Sequence, residues 1–178
     1  MRYPNSKWNW DGYINGTGSS RPARAGFNDP LPPFKPRPPC SHKNRAPVPY
    51  SPTPEVTIWG GPQPQKDWNL KTVLVVNLLE SKTKTEDVWF PIRNWDIPDD
   101  NEMFDVLIDA LIQRASKGDE IYVHCFGGHG RTGLVLGAVA AKLGIEDPVE
   151  HVRKHYCQRA IETPEQEQYV TDYADRSL

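Results

Sequence analysis

Residues 121–143 read IYVHCFGGHGRTGLVLGAVAAKL, and this stretch decides the fold. Its first three residues have the apolar pattern of a strand, and small apolar residues follow with helical spacing from Leu134 onward. Between them, Cys125 and Arg131 bracket five residues, three of which are glycine. The stretch therefore predicts a buried strand, a tight turn and a buried helix, as in an α/β fold.

The turn has the composition of an anion-binding loop. Its glycines allow successive backbone N–H groups to point inward, and the start of the helix adds unpaired N–H groups and a positive dipole end. The Arg131 guanidinium can grip two oxygens of a phosphate. The same positive field favours the thiolate form of Cys125, which is the nucleophilic form. These residue types predict hydrolysis of a phosphoester through a phosphocysteine.

Three neighbours of the turn are further candidates. Thr132 could hydrogen-bond the sulfur and stabilise it as attacking or leaving group. His129 is either a solvated loop-tip residue or a contact to substrate, and the sequence leaves both open. His124 is interpreted as an orienting residue that hydrogen-bonds the loop backbone.

The run His124-Cys125-x-x-Gly128-x-x-Arg131-Thr132-Gly133 resembles the signature of the cysteine-based protein tyrosine phosphatase superfamily, closest to its compact dual-specificity members. The resemblance implies that Cys125 is the nucleophile and Arg131 the phosphate clamp, and that Thr132 assists departure of the thiolate. It also implies a phosphate cradle formed by Phe126, Gly127, Gly128, His129, Gly130 and Arg131.

The resemblance also implies a general acid, an aspartate usually four residues before a proline on a mobile loop. Counting back from Pro98 gives Asn94, which cannot donate and recover a proton. Three alternatives stay open: the acid is Asp96, it is Asp99 or Asp100, or the site lacks an acid and is slow or only binds phosphate. Asp96 is favoured because it lies in the middle of the loop. One of the other two aspartates could instead cap the helix that follows.

A segment near the C-terminus extends the resemblance. Ile161–Gln168 is similar to the Ile-x-Thr-x-x-Gln segment of dual-specificity phosphatases, in which a glutamine lies near the active site, and Gln166 is the matching position. Thr163 as N-cap, Pro164 at the first helical position and Gln166 three residues after the cap also make a capping box. The structural role is the favoured interpretation.

Composition divides the chain into a Pro-rich basic N-terminal extension at 1–54 and a dual-specificity-phosphatase-like catalytic domain at 55–178. Fourteen of the 18 prolines lie in residues 1–64. Residues 1–50 carry eight Lys and Arg against two Asp and Glu, whereas the remaining residues carry 13 against 21. The extension is disordered, wraps over the acidic domain, binds a partner through Leu31–Pro39, or binds phosphate-rich partners. A tether without a specific role is the remaining alternative.

The domain is predicted to hold a central four- to five-stranded sheet flanked by helices, with a phosphatase-type anion-binding loop between a strand and a helix. Predicted strands are Val56–Trp59, Val73–Leu78, Val88–Ile92 and Ile121–Val123; predicted helices are Met103–Ala115, Leu134–Leu143 and two that begin at Asp147-Pro148 and Thr163-Pro164.

About nine residues separate Leu78 from Val88, fewer than the dozen or more of a usual parallel crossover. This region is therefore antiparallel, or a short loop replaces a helix. A short loop would leave a shallow site, which favours substrates phosphorylated on serine and threonine as well as tyrosine.

A phosphorylated protein is thus the expected substrate. Phosphoinositides or RNA 5′-phosphates are alternatives, as is a phosphate-binding pseudophosphatase. The proposed chemistry needs no metal or organic cofactor, and the five histidines lack ligand spacing. Nucleic acid is not an expected partner, and no apolar run predicts a signal peptide or membrane span. Three irregularly spaced cysteines, Cys40, Cys125 and Cys157, favour a reducing, cytoplasmic location over a disulfide framework.

Overall fold

The computed structural model describes residues 46–83 and 86–177, which form five strands and four helices. The strands are β1 (Val48–Thr53), β2 (Val56–Gly61), β3 (Leu74–Asn77), β4 (Val88–Trp89) and β5 (Ile121–His124). The helices are α1 (Asn101–Ala115), α2 (Gly130–Lys142), α3 (Pro148–His155) and α4 (Pro164–Ser177). The predicted α/β class is confirmed, and the sheet has five strands, within the predicted four to five. Most of the N-terminal extension, including Cys40 and Leu31–Pro39, lies outside the described residues.

The five strands form one mixed sheet in the order β1-β2-β5-β3-β4. β1 runs antiparallel to β2, and the other neighbouring strands are parallel. Gly61, His124 and Asn77 lie side by side in the register of the three central strands. The loop that follows β5 therefore leaves the sheet at the middle of its carboxyl edge, where ligands of open α/β sheets usually bind.

Strand β1 was not predicted, and it lies before residue 55, where the sequence analysis starts the domain. Its sequence is VPYSPT, and the two prolines suppress the strand signal. Proline cannot donate to a ladder and is confined largely to edge strands, and β1 is an edge strand of this sheet. The sheet therefore begins within the segment assigned to the extension.

The connection between β3 and β4 resolves the choice between an antiparallel pair and a short loop. Val76 pairs with Val88 and Asn77 with Trp89 in parallel register, so the short loop is present. The predicted strand Val88–Ile92 is reduced to two residues because Pro91 cannot donate a hydrogen bond. Backbone contacts nevertheless continue past it, since the N–H of Ile92 donates to the carbonyl of Leu78 at 3.1 Å.

Helix α2 forms the centre of the domain. All of its residues from Gly130 to Ala141 are buried, and it contacts the other three helices and strands β1, β2 and β5. A Cβ on Gly133 would lie 2.7 Å from the backbone nitrogen of Ile161, so the close approach of that segment requires glycine. The small apolar residues that predicted a buried helix here thus fill a crowded core.

The helix starts predicted at Asp147-Pro148 and Thr163-Pro164 are confirmed, whereas α1 begins two residues before the predicted Met103 and α2 four residues before the predicted Leu134. Asp100 accepts a hydrogen bond from the N–H of Met103 at 3.0 Å at the start of α1, and Asp147 does so from Glu150 at 2.9 Å at the start of α3. At the start of α4, the Thr163 hydroxyl accepts from the N–H of Gln166 at 3.2 Å. No helix among the described residues is both long and apolar enough to cross a membrane.

Candidate active site

The cradle loop, defined here as residues 125–131, joins the carboxyl end of β5 to the first turn of α2. Cys125 at its start is buried, with 3% of its surface exposed, and Arg131 at its end is buried as well. The predicted nucleophile and phosphate clamp are therefore brought to one loop at the amino end of a buried helix. Unpaired N–H groups and the positive end of the helix dipole favour an anion at this position.

The backbone of the cradle loop is fixed by its surroundings. Gly128 has a φ of +74°, and a Cβ there would lie 2.4 Å from the carbonyl carbon of Gly61. The Tyr156 hydroxyl donates to the carbonyl of Gly128 at 2.6 Å, and the Gln63 N–H donates to the carbonyl of Phe126 at 3.3 Å. Two carbonyls of the loop are thus occupied from outside. The Phe126 side chain is 75% exposed.

Arg131 links the cradle loop to the segment that carries the candidate acids. Its Nη1 donates to the carbonyl of Ile92 at 3.1 Å, and the bond is buried. The planar guanidinium retains further donors besides this one. Arg131 therefore belongs to the cradle loop, and a bond to the segment that carries the candidate acids orients its guanidinium.

Thr132 is fully buried, and its hydroxyl has no hydrogen-bond partner among the described residues. A buried, unsatisfied hydroxyl is costly and calls for a physical reason. Thr132 follows the phosphate clamp directly and lies in the first turn of α2. Its position is consistent with the predicted role beside the sulfur.

His129 is not a solvated loop tip, because only 9% of its surface is exposed. Its Nδ1 lies 3.5 Å from the sulfur of Cys157, which is buried in the residues after α3. A Cβ on Gly127 would contact the other side of the ring at 3.4 Å. The ring therefore packs under the loop, and its backbone remains part of the predicted cradle.

His124 ends β5 beside Cys125 and is 1% exposed. Burial lowers the pKa of its imidazole to about 4, while the Cys125 backbone and the charge of Glu86 act in the opposite direction. The ring stacks on Tyr122 at a centroid distance of 5.8 Å, and the Tyr122 hydroxyl donates to the carbonyl of Pro62. His124 is therefore a neutral core residue at neutral pH.

Asp96 lies on the acid loop, defined here as residues 92–100, next to a strained residue. Trp95 has a φ of +64° and is 47% exposed, although an L-residue with a side chain rarely adopts that backbone conformation. The Asp96 carboxylate accepts from the N–H of Ile97 at 2.9 Å and lies 3.2 Å from Nη2 of Arg93. Its side chain is 23% exposed, so it is reachable from solvent.

The structure separates the other two aspartates by role. Asp100 caps α1, which confirms the capping alternative for one of them. Asp99 is 59% exposed and pairs with Arg93 at 3.0 Å. Asn94, which stands where the resemblance would place the acid, is exposed. The backbone carbonyl of Asp96 accepts a hydrogen bond from Gln166.

Gln166 connects the acid loop to α4. It is fully buried, and its Nε2 donates to the carbonyl of Asp96 at 3.0 Å while its Oε1 accepts from the N–H of Glu162, also at 3.0 Å. The capping box is therefore present in altered form, and the side chain has a second task at the acid loop. The predicted nearness of Gln166 to the site is confirmed.

Two contributors were missed by the sequence analysis. The Glu162 carboxylate accepts from the N–H of Gly130 at 3.0 Å, within the cradle loop. Tyr156 fixes Gly128, as described above. The segment around Gln166 signalled the neighbourhood of Glu162, but no local pattern signals a tyrosine that bonds a loop 28 residues away. No cluster of three metal-ligating side chains occurs in the described ranges.

Comparison with known proteins identifies the family of this chain. Residues 71–177 match the family described as the Swiss Army Knife protein, DSP-PTPase phosphatase domain, and the chain belongs to this family. An uncharacterized protein of Methanocaldococcus jannaschii, MJECL20, is 41% identical over 101 residues, which is 57% of this chain and 68% of that protein. The match covers 68% of that protein and 60% of a second Methanocaldococcus jannaschii protein, MJ0215, but 11% of the Mus musculus tyrosine-protein phosphatase non-receptor type 4.

Solved structures share the fold at low sequence identity. A mutant form of Tk-PTP superposes with a TM-score of 0.57 at 19% identity, over 72% of this chain and 95% of that one. PTPMT1 in complex with PI(5)P gives a TM-score of 0.54 at 15% identity, over 69% of this chain and 92% of that one. These structural similarities show that the chain has the fold of dual-specificity phosphatases.

Proposed function

We propose that the chain hydrolyses phosphotyrosine and phosphoserine or phosphothreonine in proteins through a phosphocysteine intermediate. The observation that carries the proposal is the cradle loop, which holds buried Cys125 and buried Arg131 at the amino end of α2 and at the carboxyl edge of the sheet. Family membership supports a cysteine-based phosphatase.

In the proposed first step, the Cys125 thiolate attacks phosphorus while Arg131 and the loop N–H groups stabilise the equatorial oxygens. Asp96 protonates the leaving oxygen. In the second step, a water gives its proton to Asp96 and displaces Cys125 from phosphorus. The buried Thr132 hydroxyl is available to stabilise the departing thiolate. No metal enters either step.

Dual specificity is supported by the openness of the acid side of the site. The connection between β3 and β4 is short, and the acid loop exposes Trp95 and Asp99. A shallow site can admit the short serine and threonine side chains, whereas a deep one selects the longer tyrosine. A reducing, cytoplasmic location would keep the nucleophile active, since a thiolate is readily oxidised.

A phosphoinositide substrate is the second candidate, because PTPMT1 shares the fold and was solved with PI(5)P. Carboxylates around the site weigh against a polyanionic headgroup. Asp96 and Asp99 both pair with Arg93, and Glu162 lies against the cradle loop. A protein phosphoester is therefore the first proposal.

Phosphate release from a panel of substrates tests the proposal. The panel holds one peptide sequence phosphorylated on tyrosine, serine or threonine, and a phosphoinositide in detergent, each with wild type and Cys125→Ser. We expect Cys125-dependent release from all three peptides, with kcat/KM values within about 100-fold of one another. A much stronger preference for phosphotyrosine would remove dual specificity. Turnover of the lipid alone would favour the second candidate, and peptide binding without turnover a pseudophosphatase.

A further inference from the structure

The Glu162 carboxylate lies against the backbone of the cradle loop. Its Oε2 accepts a hydrogen bond from the N–H of Gly130 at 3.0 Å, and its side chain is 18% exposed. Gly130 is the first residue of α2 and one of the residues assigned to the phosphate cradle. An anionic oxygen of the protein itself therefore occupies an N–H group at which the proposed function places a phosphoryl oxygen.

A strained backbone brings Glu162 to this position. Ile161 has a φ of +58°, which is a true outlier for a β-branched residue. Arg153 holds the strained segment through its Nη2, which donates to the carbonyl of Ile161 at 3.1 Å, and its Nε, which donates to that of Ala160 at 3.3 Å. Backbone strain persists only where the surroundings enforce it, and it concentrates at functional sites.

The contact is also held from the α4 side. The N–H of Glu162 donates to Oε1 of Gln166 at 3.0 Å, and the same Gln166 holds the carbonyl of Asp96. Nη2 of Arg159 lies 3.9 Å from the other carboxylate oxygen, beyond hydrogen-bonding distance. Glu162 thus places a negative charge against the backbone of a predicted anion site.

We propose that Glu162 is a specificity-determining residue that competes with the phosphoryl group for the cradle. The inference rests on the cradle of the proposed function. A phosphoryl dianion must either take the Gly130 N–H from Glu162 or bind beside its charge. In the first case, only the fraction of protein whose Gly130 N–H is released by Glu162 can bind phosphate fully. In the second case, the Glu162 charge repels the bound dianion. Each effect weakens anion binding. The site then releases inorganic phosphate readily and disfavours esters that carry several phosphates.

Calorimetric titration with inorganic phosphate tests this inference without requiring turnover. Glu162→Gln removes the charge but keeps an oxygen that can accept from the Gly130 N–H, and Glu162→Ala removes both. Glu165→Gln is the matched control, since Glu165 is an exposed acid in the first turn of α4. We expect the Kd for phosphate to fall about tenfold in both Glu162 variants and to change less than about twofold in the control. Added salt should reduce the difference in Kd between wild type and the two Glu162 variants.

Unchanged or weaker phosphate binding by both Glu162 variants would overturn the inference, provided that their melting temperatures show them folded. The use of two variants covers the case in which one fails to fold. Aryl phosphate turnover by the same wild-type preparation reports on the proposed function separately. Turnover without the affinity change removes only the competitor role, and the affinity change without turnover removes only the hydrolase. No phosphate binding by any of the proteins would overturn the inference, and the turnover assay would still decide the proposed function.

Discussion

The cradle loop and the acid loop carry the two halves of the proposed chemistry, and they are built differently. The cradle loop starts from a central strand, and most of it is buried. The acid loop follows the edge strand β4, and most of its residues are exposed. A buried bond from Arg131 to the carbonyl of Ile92 joins the two loops, and a part-buried bond from Gln166 ties the carbonyl of Asp96 to α4.

The difference shows where each half of the site gets its geometry. Core packing fixes the cradle loop, since Gly128 touches Gly61 and Tyr156 bonds its carbonyl. Side-chain bonds from Arg131 and Gln166 and a backbone bond from Ile92 to Leu78 hold the acid loop, which lies along the edge of the sheet. Substitutions in the first loop should therefore change folding, whereas those in the second should change mainly the rate.

The largest expected effect is on the rate, at Asp96. Asp96→Asn should lower kcat for an aryl phosphate by about 10²–10⁴ because the leaving oxygen loses its proton donor. Asp99→Asn, on the same loop and paired with the same arginine, should change kcat less than about twofold. Steady-state kinetics with melting curves measures both. The reverse order would move the acid to Asp99.

Gly128→Ala should cost more than about 3 kcal/mol of folding free energy, because the added Cβ would meet Gly61 at 2.4 Å and the backbone has a positive φ. Gly118→Ala measures the cost of a positive φ without a steric clash. Its φ is +85°, but nothing lies within 4 Å of a Cβ there, so we expect about 1 kcal/mol. Urea denaturation compares the two. Equal losses would mean that packing does not fix the cradle loop.

His124 should make stability depend on pH. Its pKa of about 4 in the folded protein lies below the ordinary 6.5, so the unfolded state binds more protons between these values. The free energy of unfolding should fall by about 3 kcal/mol as the pH drops from 6.5 to 4 and then level off. His124→Asn should flatten this fall in urea titrations at several pH values. If the free energy of unfolding falls equally with pH in wild type and in His124→Asn, burial of His124 does not cause the pH dependence.

The smallest effect concerns the bond between α4 and the acid loop. Gln166→Leu removes both side-chain hydrogen bonds, to Asp96 and to Glu162, and should cost about 1–3 kcal/mol and lower kcat. Gln168→Leu is the control, since Gln168 is exposed and its amide donates to the Asp172 carboxylate, away from the acid loop. Loss of stability without any change in kcat would show that Gln166 does not position the acid loop.

Local patterns were sufficient where the chain makes its own contacts. The strand, turn and helix of residues 121–143 and the caps at Asp147 and Thr163 are determined by neighbouring residues, so they could be predicted. Strand β1 could not, because only its place at the sheet edge makes its prolines tolerable.

The same limit applies within the site. The residue types of Cys125 and Arg131 indicated phosphate chemistry, but the choice among the aspartates depends on Gln166, which is 70 residues away in sequence. The burial of His129 depends likewise on Cys157, and the contact of Glu162 with Gly130 on a left-handed Ile161. Such long-range contacts leave no periodic signal in the chain.

The central claim is that Cys125 forms a covalent bond to phosphorus, and acid-quenched mass spectrometry tests it most directly. Wild type, Cys125→Ser and Cys157→Ser, the last changing a second buried cysteine of the described residues, are mixed with an aryl phosphate and quenched within one turnover. We predict one phosphoryl group on Cys125 in wild type and in Cys157→Ser, and none on Cys125→Ser. Turnover with no phosphocysteine, or with the label on another residue, would contradict the account.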